Sequence, residues 1–235
     1  SAGASLDAGS NYNVFIGEGV SDASMNDATN NVGVGYQALS ALATGDENVA
    51  VGKDAGKALL AGSENTIVGT AAGDALTSGG GNVIIGDGAG GTTTDVDSAV
   101  IIGRSAAADG NVTSAADGTV LVGFEAGKAL TSGLGNIAIG YQAMDAVTTG
   151  AHNIAIGYLA FDSALAGDDS NIGIGTNALG GTHEQNPSNN NVAIGGDAMA
   201  GPMNDCDNNV AIGFTAMQVA SEGTQNVVIG SGAGV

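Results

Sequence analysis

Tryptophan is absent, cysteine occurs once, proline twice, and Lys and Arg together number only four in 235 residues. Each shortage removes a class of answer. A lone Cys206 cannot form an internal disulfide, a CxxC pair or a zinc cluster. Four cations (Lys53, Lys57, Arg104, Lys128) against 24 carboxylates give a net charge of −20, so there is no basic footprint for a phosphate backbone and nucleic acid is not an expected partner. No run of about 18 apolar residues is present for a membrane span, and Ser1 to Ser5 lacks the charged and apolar regions of a signal peptide. With no initiator Met, the chain reads as a mature or excised segment. Only eight aromatics are available for a core, four Tyr and four Phe.

What is abundant is glycine, 42 residues, without the Gly-X-Y period or the proline of collagen. Valine and isoleucine recur at fixed places, which argues against disorder. Asn-Val-Ala-Ile-Gly at 209–213 has relatives at thirteen places, closing on Gly17, Gly35, Gly52, Gly69, Gly86, Gly103, Gly123, Gly140, Gly157, Gly175, Gly195, Gly213 and Gly230. The spacing is 17 to 20 residues from end to end, so residues 13–235 read as one repeat array without separate domains, preceded by a partial coil at 1–12.

The residues three and one before each of these glycines are β-branched in every copy, which is strand chemistry with period two. Eleven copies open with Asn, the exceptions being Ala99 and Thr119; twelve carry Ala three residues after the glycine, the exception being Val20. Leu42, Leu59, Leu76 and Leu130 mark a weaker apolar site seven residues after it. Each unit therefore reads as a short strand, a corner, a second short strand and a return turn. Seventeen residues bury too little alone, so units must stack into an all-β solenoid of about 13 coils. Stacking aligns equivalent asparagines as a hydrogen-bonded ladder. Asn136, Gly140, Asn153, Gly157, Asn209 and Gly213 exemplify these structural positions.

Between the two β-branched residues stands Phe15, Gly33, Ala50, Ile67, Ile84, Ile101, Leu121, Ala138, Ala155, Gly173, Ala193, Ala211 or Val228, none of them polar. A strand apolar on both sides is buried on both. One face is expected to fill the solenoid and the other to pack on a neighbouring subunit, making the chain its own partner in an obligate homo-oligomer.

Asn136-Ile137-Ala138-Ile139-Gly140-Tyr141-Gln142-Ala143-Met144 and Asn31-Val32-Gly33-Val34-Gly35-Tyr36-Gln37-Ala38-Leu39 resemble the Asn-x-Ala-Ile-Gly-Tyr-Gln-Ala-Leu repeats of phage tail fibres and, more distantly, the head repeats of trimeric autotransporter adhesins. The likeness covers about 13–235. It implies a left-handed parallel β-roll assembled as a homotrimeric fibre, located outside the cell or on a virion, that meets a cell-surface glycan or protein receptor. The 17-residue period is longer than in the adhesins, and no anchor, stalk or self-cleaving chaperone is recognisable.

Motifs for chemistry are weak. Gly86 to Gly91 satisfies GxGxxG, but Gly86 is the repeat glycine and no helix follows. The P-loop-like strings from Gly52 and Gly123 have three residues between their glycines and no Ser or Thr after the Lys. His152 and His183 stand in different coils with no matching nucleophile, and the acids scatter over corners rather than flanking a cleft. Neither an EF-hand nor a Gly-Gly-x-Gly-x-Asp repeat is present. No catalytic residue, metal ligand or cofactor is assigned, and the acids are expected to form a solvated coat.

Two features are candidate receptor-binding sites. Phe124, Tyr141 and Tyr158 follow the repeat glycine in consecutive coils, forming either a platform for a sugar or a packed ladder. His183, Glu184 and Gln185 lie in the insertion of the 20-residue coil between Gly175 and Gly195, where a loop bulges outward. The expectation is a non-enzymatic fibre segment that projects such surfaces. The alternative is a subunit of a head-to-tail self-assembling extracellular filament, since the repeat starts by residue 13 and ends five residues after Gly230 without a polar capping coil.

Overall fold

A three-residue run of β-branched side chains closed by glycine is long enough for one strand and no more. The computed structural model describes residues 3, 6–163, 167–181, 186–219 and 223–234. It is all-β, a parallel β-solenoid with thirteen such strands, one per repeat. Two units are distinguished, Ser1–Gly118 and Thr119–Val235. The first holds β1 (Val14–Ile16), β2 (Val32–Val34), β3 (Val49–Val51), β4 (Thr66–Val68), β5 (Val83–Ile85), β6 (Val100–Ile102) and a 3-10 turn at Ser114–Ala116. The second holds β7 (Val120–Val122), β8 (Ile137–Ile139), β9 (Ile154–Ile156), β10 (Ile172–Ile174), β11 (Val192–Ile194), β12 (Val210–Ile212) and β13 (Val227–Ile229).

Within each unit every strand pairs with the next in parallel and in register, so Val49 opposes Thr66 and Ile137 opposes Ile154. Among the described residues the expected second strand is not formed. After the glycine the chain runs through overlapping turns in which alternate residues are left-handed, for example Asp54 and Gly56 at φ +57° and +56°, or Gln142 and Met144 at +52° and +56°. A residue with positive φ cannot extend a strand. Its N–H nevertheless still points along the stack: Asp54 N donates to Tyr36 O and Gly56 N to Ala72 O, linking to the coils on either side. These bonds offset a conformation that costs a non-glycine residue roughly 1–2 kcal/mol.

The repeat glycine itself sits near φ +137°, outside the range of ordinary L-residues. A methyl group added at Gly52 or Gly140 would fall within hard-sphere overlap of the carbonyl oxygen of the glycine one coil on, Gly69 or Gly157. Backbone angle calls for glycine at all thirteen positions, and at Gly52 and Gly140 the neighbouring carbonyl excludes a side chain as well.

Strand polarity is resolved by burial. The middle residue points inward: Ala50, Ile67, Ile84, Ile101, Leu121, Ala138, Ala155, Ala193 and Ala211 are inaccessible to solvent. The flanking β-branched residues point outward, and Val49, Val51 and Ile139 are 36%, 38% and 38% exposed. Inside, the middle residue faces the residue four after the glycine, and in most coils the two trade volume. Ile67 and Ile84 face Gly73 and Gly90, and Leu121 faces Gly127, where an added methyl would lie 2.6 Å from Leu121 Cδ2. In the coils of Gly33, Ala138, Ala155, Gly173 and Ala193 the middle residue is small and the fourth residue is Leu39, Met144, Phe161, Leu179 or Met199, all buried. In the coil of Ala50 both positions are small, and Ile67 and Leu39 of the adjoining coils fill the space at Gly56. Close packing demands this exchange, because a void or an overlap of even a methyl group is destabilising.

Asparagine forms the third element of the coil. Asn48 Oδ1 accepts from the backbone N (3.1 Å) and Nδ2 (3.0 Å) of Asn65, while Asn48 Nδ2 donates to Asn31 Oδ1 (3.0 Å) and to Gly62 O (2.8 Å). All its polar positions are thereby engaged in a site excluded from water. In the first unit the ladder runs from Asn13 to Asn82 and closes on the backbone N of Ala99, 2.8 Å from Asn82 Oδ1. In the second it runs from Asn136 through Asn153, Asn171, Asn191 and Asn209 to Asn226.

A candidate aromatic and apolar binding surface

The residue after the repeat glycine is the first to leave the strand, and its side chain projects at the corner. Phe124, Tyr141 and Tyr158 therefore stack, with ring centroids 5.0 and 5.2 Å apart and interplanar angles of 19° and 14°. These spacings follow the coil rise of about 4.8 Å. Stacking has a consequence for recognition: both faces of Tyr141 lie against neighbouring rings. The ring edges face solvent, with Tyr141 44% and Tyr158 52% exposed. Tyr158 covers one face on Tyr141, and its other face looks along the stack toward the coil of Thr176. The aromatic strip is thus a packed ladder with one open end face in the second unit.

His183, Glu184 and Gln185 lie outside the described residues. Further along, Asn186 donates through its backbone N to Asn204 Oδ1 (3.1 Å) and through Nδ2 to Asp205 Oδ2 (3.0 Å). The repeat positions Asn136, Gly140, Asn153, Gly157, Asn209 and Gly213 take the structural places described above. Cys206 is buried at the corner, where its carbonyl accepts from Asn191 Nδ2.

The acids are not all a solvated coat. Two residues before the repeat Asn, a carboxylate, amide or hydroxyl caps a backbone N–H of the preceding coil: Thr29 N on Asp46 (2.6 Å), Gly80 N on Asp97 (2.7 Å), Ala151 N on Asp169 (2.7 Å) and Asn189 N on Asp207 (2.7 Å). Their recurrence at one register position was the available signal. A shallow surface notch of about 380 Å³ over Gly80 and Gly81 has Glu64 on one side and Asp97 on the other.

Five residues after the glycine lies a second acidic column. Burial pushes the carboxyls of Asp74, Asp145 and Asp162 above the ordinary carboxylate range, helped by repulsion from Asp54, Glu125 and Asp145 respectively. Lys57 and Lys128 oppose the shift at Asp74 and Asp145. Lys128 Nζ also lies 3.4 Å from Glu125 Oε1, and Gln142 Nε2 donates to Glu125 Oε2 at 2.6 Å. Among the described residues no group of three or more His, Cys, Asp or Glu is placed to hold a metal, and no helix is long and apolar enough to cross a membrane.

The most extensive feature is the outer sheet face. Of its 26 positions, two on each of thirteen strands, 25 are Val or Ile and the remaining one is Thr66. All 26 positions are half-buried or exposed, so each unit presents a continuous apolar face, of the kind that marks an interaction surface. Comparison with protein-family models, curated proteins and solved structures finds no match to this chain. The fold and site define a parallel β-solenoid with an apolar outer sheet face and an exposed aromatic corner.

Proposed function

We propose that the chain is a non-enzymatic structural and adhesive segment of an extracellular or virion-borne fibre. In this reading the outward Val and Ile rows close a homotrimer, and the corners and inserted loops carry receptor-binding surfaces. One observation carries the proposal: 25 of 26 outward strand positions are β-branched hydrocarbon where a water-facing strand alternates to polar. Covering this face with other copies contributes roughly 25 cal/mol per Å² of apolar area removed from water, which works against the cost of association. Left-handed winding and threefold symmetry come from the resemblance to tail-fibre and adhesin repeats. A shape-holding role also accounts for a sequence devoted to stacking, with most residues of the coil fixed by the neighbour above or below.

Electron microscopy of the purified protein tests this reading. Discrete short rods of uniform length support it. Indefinite threads favour the head-to-tail filament, and measurable shortening of a surface polysaccharide by the protein contradicts a non-enzymatic role.

A further inference from the structure

Two side columns bound the outer face: a leading one, two residues before each strand, and a trailing one, two residues after it. In the first unit the leading column stacks Glu47 and Glu64 in successive coils and contains no Lys or Arg. Both residues are exposed, and among the described residues neither forms an ion pair. Like charges about 4.8 Å apart on one sheet face repel, so the two glutamates lack a counter-charge. The cation at this level is Lys53, in the trailing column six residues after Glu47, a span of about 20 Å in extended chain. It meets Asp54 at 3.5 Å but keeps 63% of its side chain exposed, where such a pair contributes little.

A second copy supplies what one chain cannot. When copies run in the same direction around a common axis, the trailing edge of one meets the leading edge of the next at equal level, a heterologous contact that closes into a ring. Lys53 then stands level with Glu47 of the next copy and one coil from its Glu64. At equal level the trailing acids Glu18 and Asp87 meet Tyr12 and Gly81, so no like charges are brought together. Copies running in opposite directions bring leading edge to leading edge, and the glutamates gain no cation. The second unit fits the same arrangement by size. Its side columns hold none of the ten carboxylates in residues 119–235, the charge depletion of a covered interface. Tyr141 comes level with Gly135, which leaves room for the ring, and Tyr158 with the exposed His152 imidazole.

We propose that a second copy of the chain docks on this face in parallel and at equal level, locked edge to edge: Lys53 of one copy on Glu47 and Glu64 of the next, Tyr141 on Gly135, and Tyr158 on His152. The lock rests on the fibre reading and deepens it, because hydrocarbon rows that repeat in every coil leave register free and the edges fix it. Isotopically light and heavy full-length chains are refolded together, sedimented and treated with a zero-length carbodiimide cross-linker. Cross-links between light and heavy chains are expected to join Lys53 to Glu47 or Glu64. Lys53→Glu is expected to raise the concentration for half-assembly by about tenfold with the circular dichroism spectrum kept, and adding Glu47→Lys and Glu64→Lys is expected to restore most of the loss. Gly135→Gln fills the space opposite Tyr141 with a residue that Gln225 shows to be tolerated at φ +61°, and it should also weaken assembly. An assembly in which Lys53 is cross-linked between chains only to other acids, or which neither Lys53→Glu nor Gly135→Gln weakens, overturns the lock and leaves the fibre reading standing. So does a triple charge variant that assembles no better than Lys53→Glu. A folded chain that stays single at every concentration overturns both.

Discussion

Coils β4 to β6 of the first unit and coils β8 to β12 of the second fill their interiors from opposite walls. In the former, Ile67, Ile84 and Ile101 supply the volume from the strand, and the facing turn has receded to Gly73, Gly90 and Ala107. In the latter the strand contributes Ala138, Ala155, Gly173, Ala193 and Ala211, and the turn supplies Met144, Phe161, Leu179, Met199 and Met217. The difference teaches that the stack conserves filled volume rather than residue identity, with adjoining coils supplying it where, as at Ala50 and Gly56, both positions are small. It also shows that the turn backbone is fixed independently of its side chain, since Phe161 and Met199 adopt φ +50° and +49° while Gly73 and Gly90 adopt +52° and +58°.

Features common to both regions should be the least tolerant. Gly140→Ala forces a side chain into the Gly157 carbonyl at φ +141°, and a loss above about 4 kcal/mol in urea unfolding is expected. Gly230→Ala is the internal control: among the described residues a methyl there meets only Ala233 Cβ at 3.7 Å, so it should cost just the backbone strain of roughly 1–3 kcal/mol. Equal costs at the two sites would show that the neighbouring carbonyl is irrelevant.

Next in size is the interior itself. Ile84→Ala should cost about 2–5 kcal/mol, and adding Gly90→Leu should return at least half, because Leu179 already occupies the equivalent turn position at φ +57°. A double variant no more stable than the single one would break the volume exchange. The reciprocal change, Ala155→Ile beside an intact Phe161, should cost about 1–3 kcal/mol by overpacking. Asn153→Ala is expected to cost about 1–3 kcal/mol, since it removes the hydrogen bond to the buried Asp168 carbonyl and one acceptor from Asn171.

The smallest effect concerns the acidic column. The folded carboxyls of Asp145 and Asp162 lie above the ordinary value of 3.8, so the folded state favours their protonated forms. Their contribution to stability is full below that value and is lost as pH rises through the raised folded values. Acidifying from neutrality toward 3.8 should raise the melting temperature by a few degrees, and Asp145→Asn with Asp162→Asn should flatten that rise. An unchanged pH profile in the double variant would assign the effect to overall charge.

Much of this was legible in the sequence because stacking imposes one residue on many coils. The strand, the ladder from Asn13 to Asn82, the indispensable glycine and the Phe124–Tyr141–Tyr158 stack all announced themselves by register. The second strand was mistaken because apolar spacing alone cannot reveal a left-handed backbone at residues such as Leu39 or Met144, which ordinarily avoid it. Volume exchange was hidden for another reason: it conserves a sum over two positions, so neither column is constant. The acids at 46, 97, 169 and 207 looked like solvating charge because their partners are backbone N–H groups one coil away.

The account depends most on the outward Val and Ile rows being covered by other copies of the chain. Sedimentation equilibrium of the folded protein at micromolar concentration tests this directly. The predicted result is three times the 22.4 kDa chain mass, with Ile139→Glu and Ile156→Glu together dispersing the assembly. A folded species that stays at 22.4 kDa across all concentrations would contradict it.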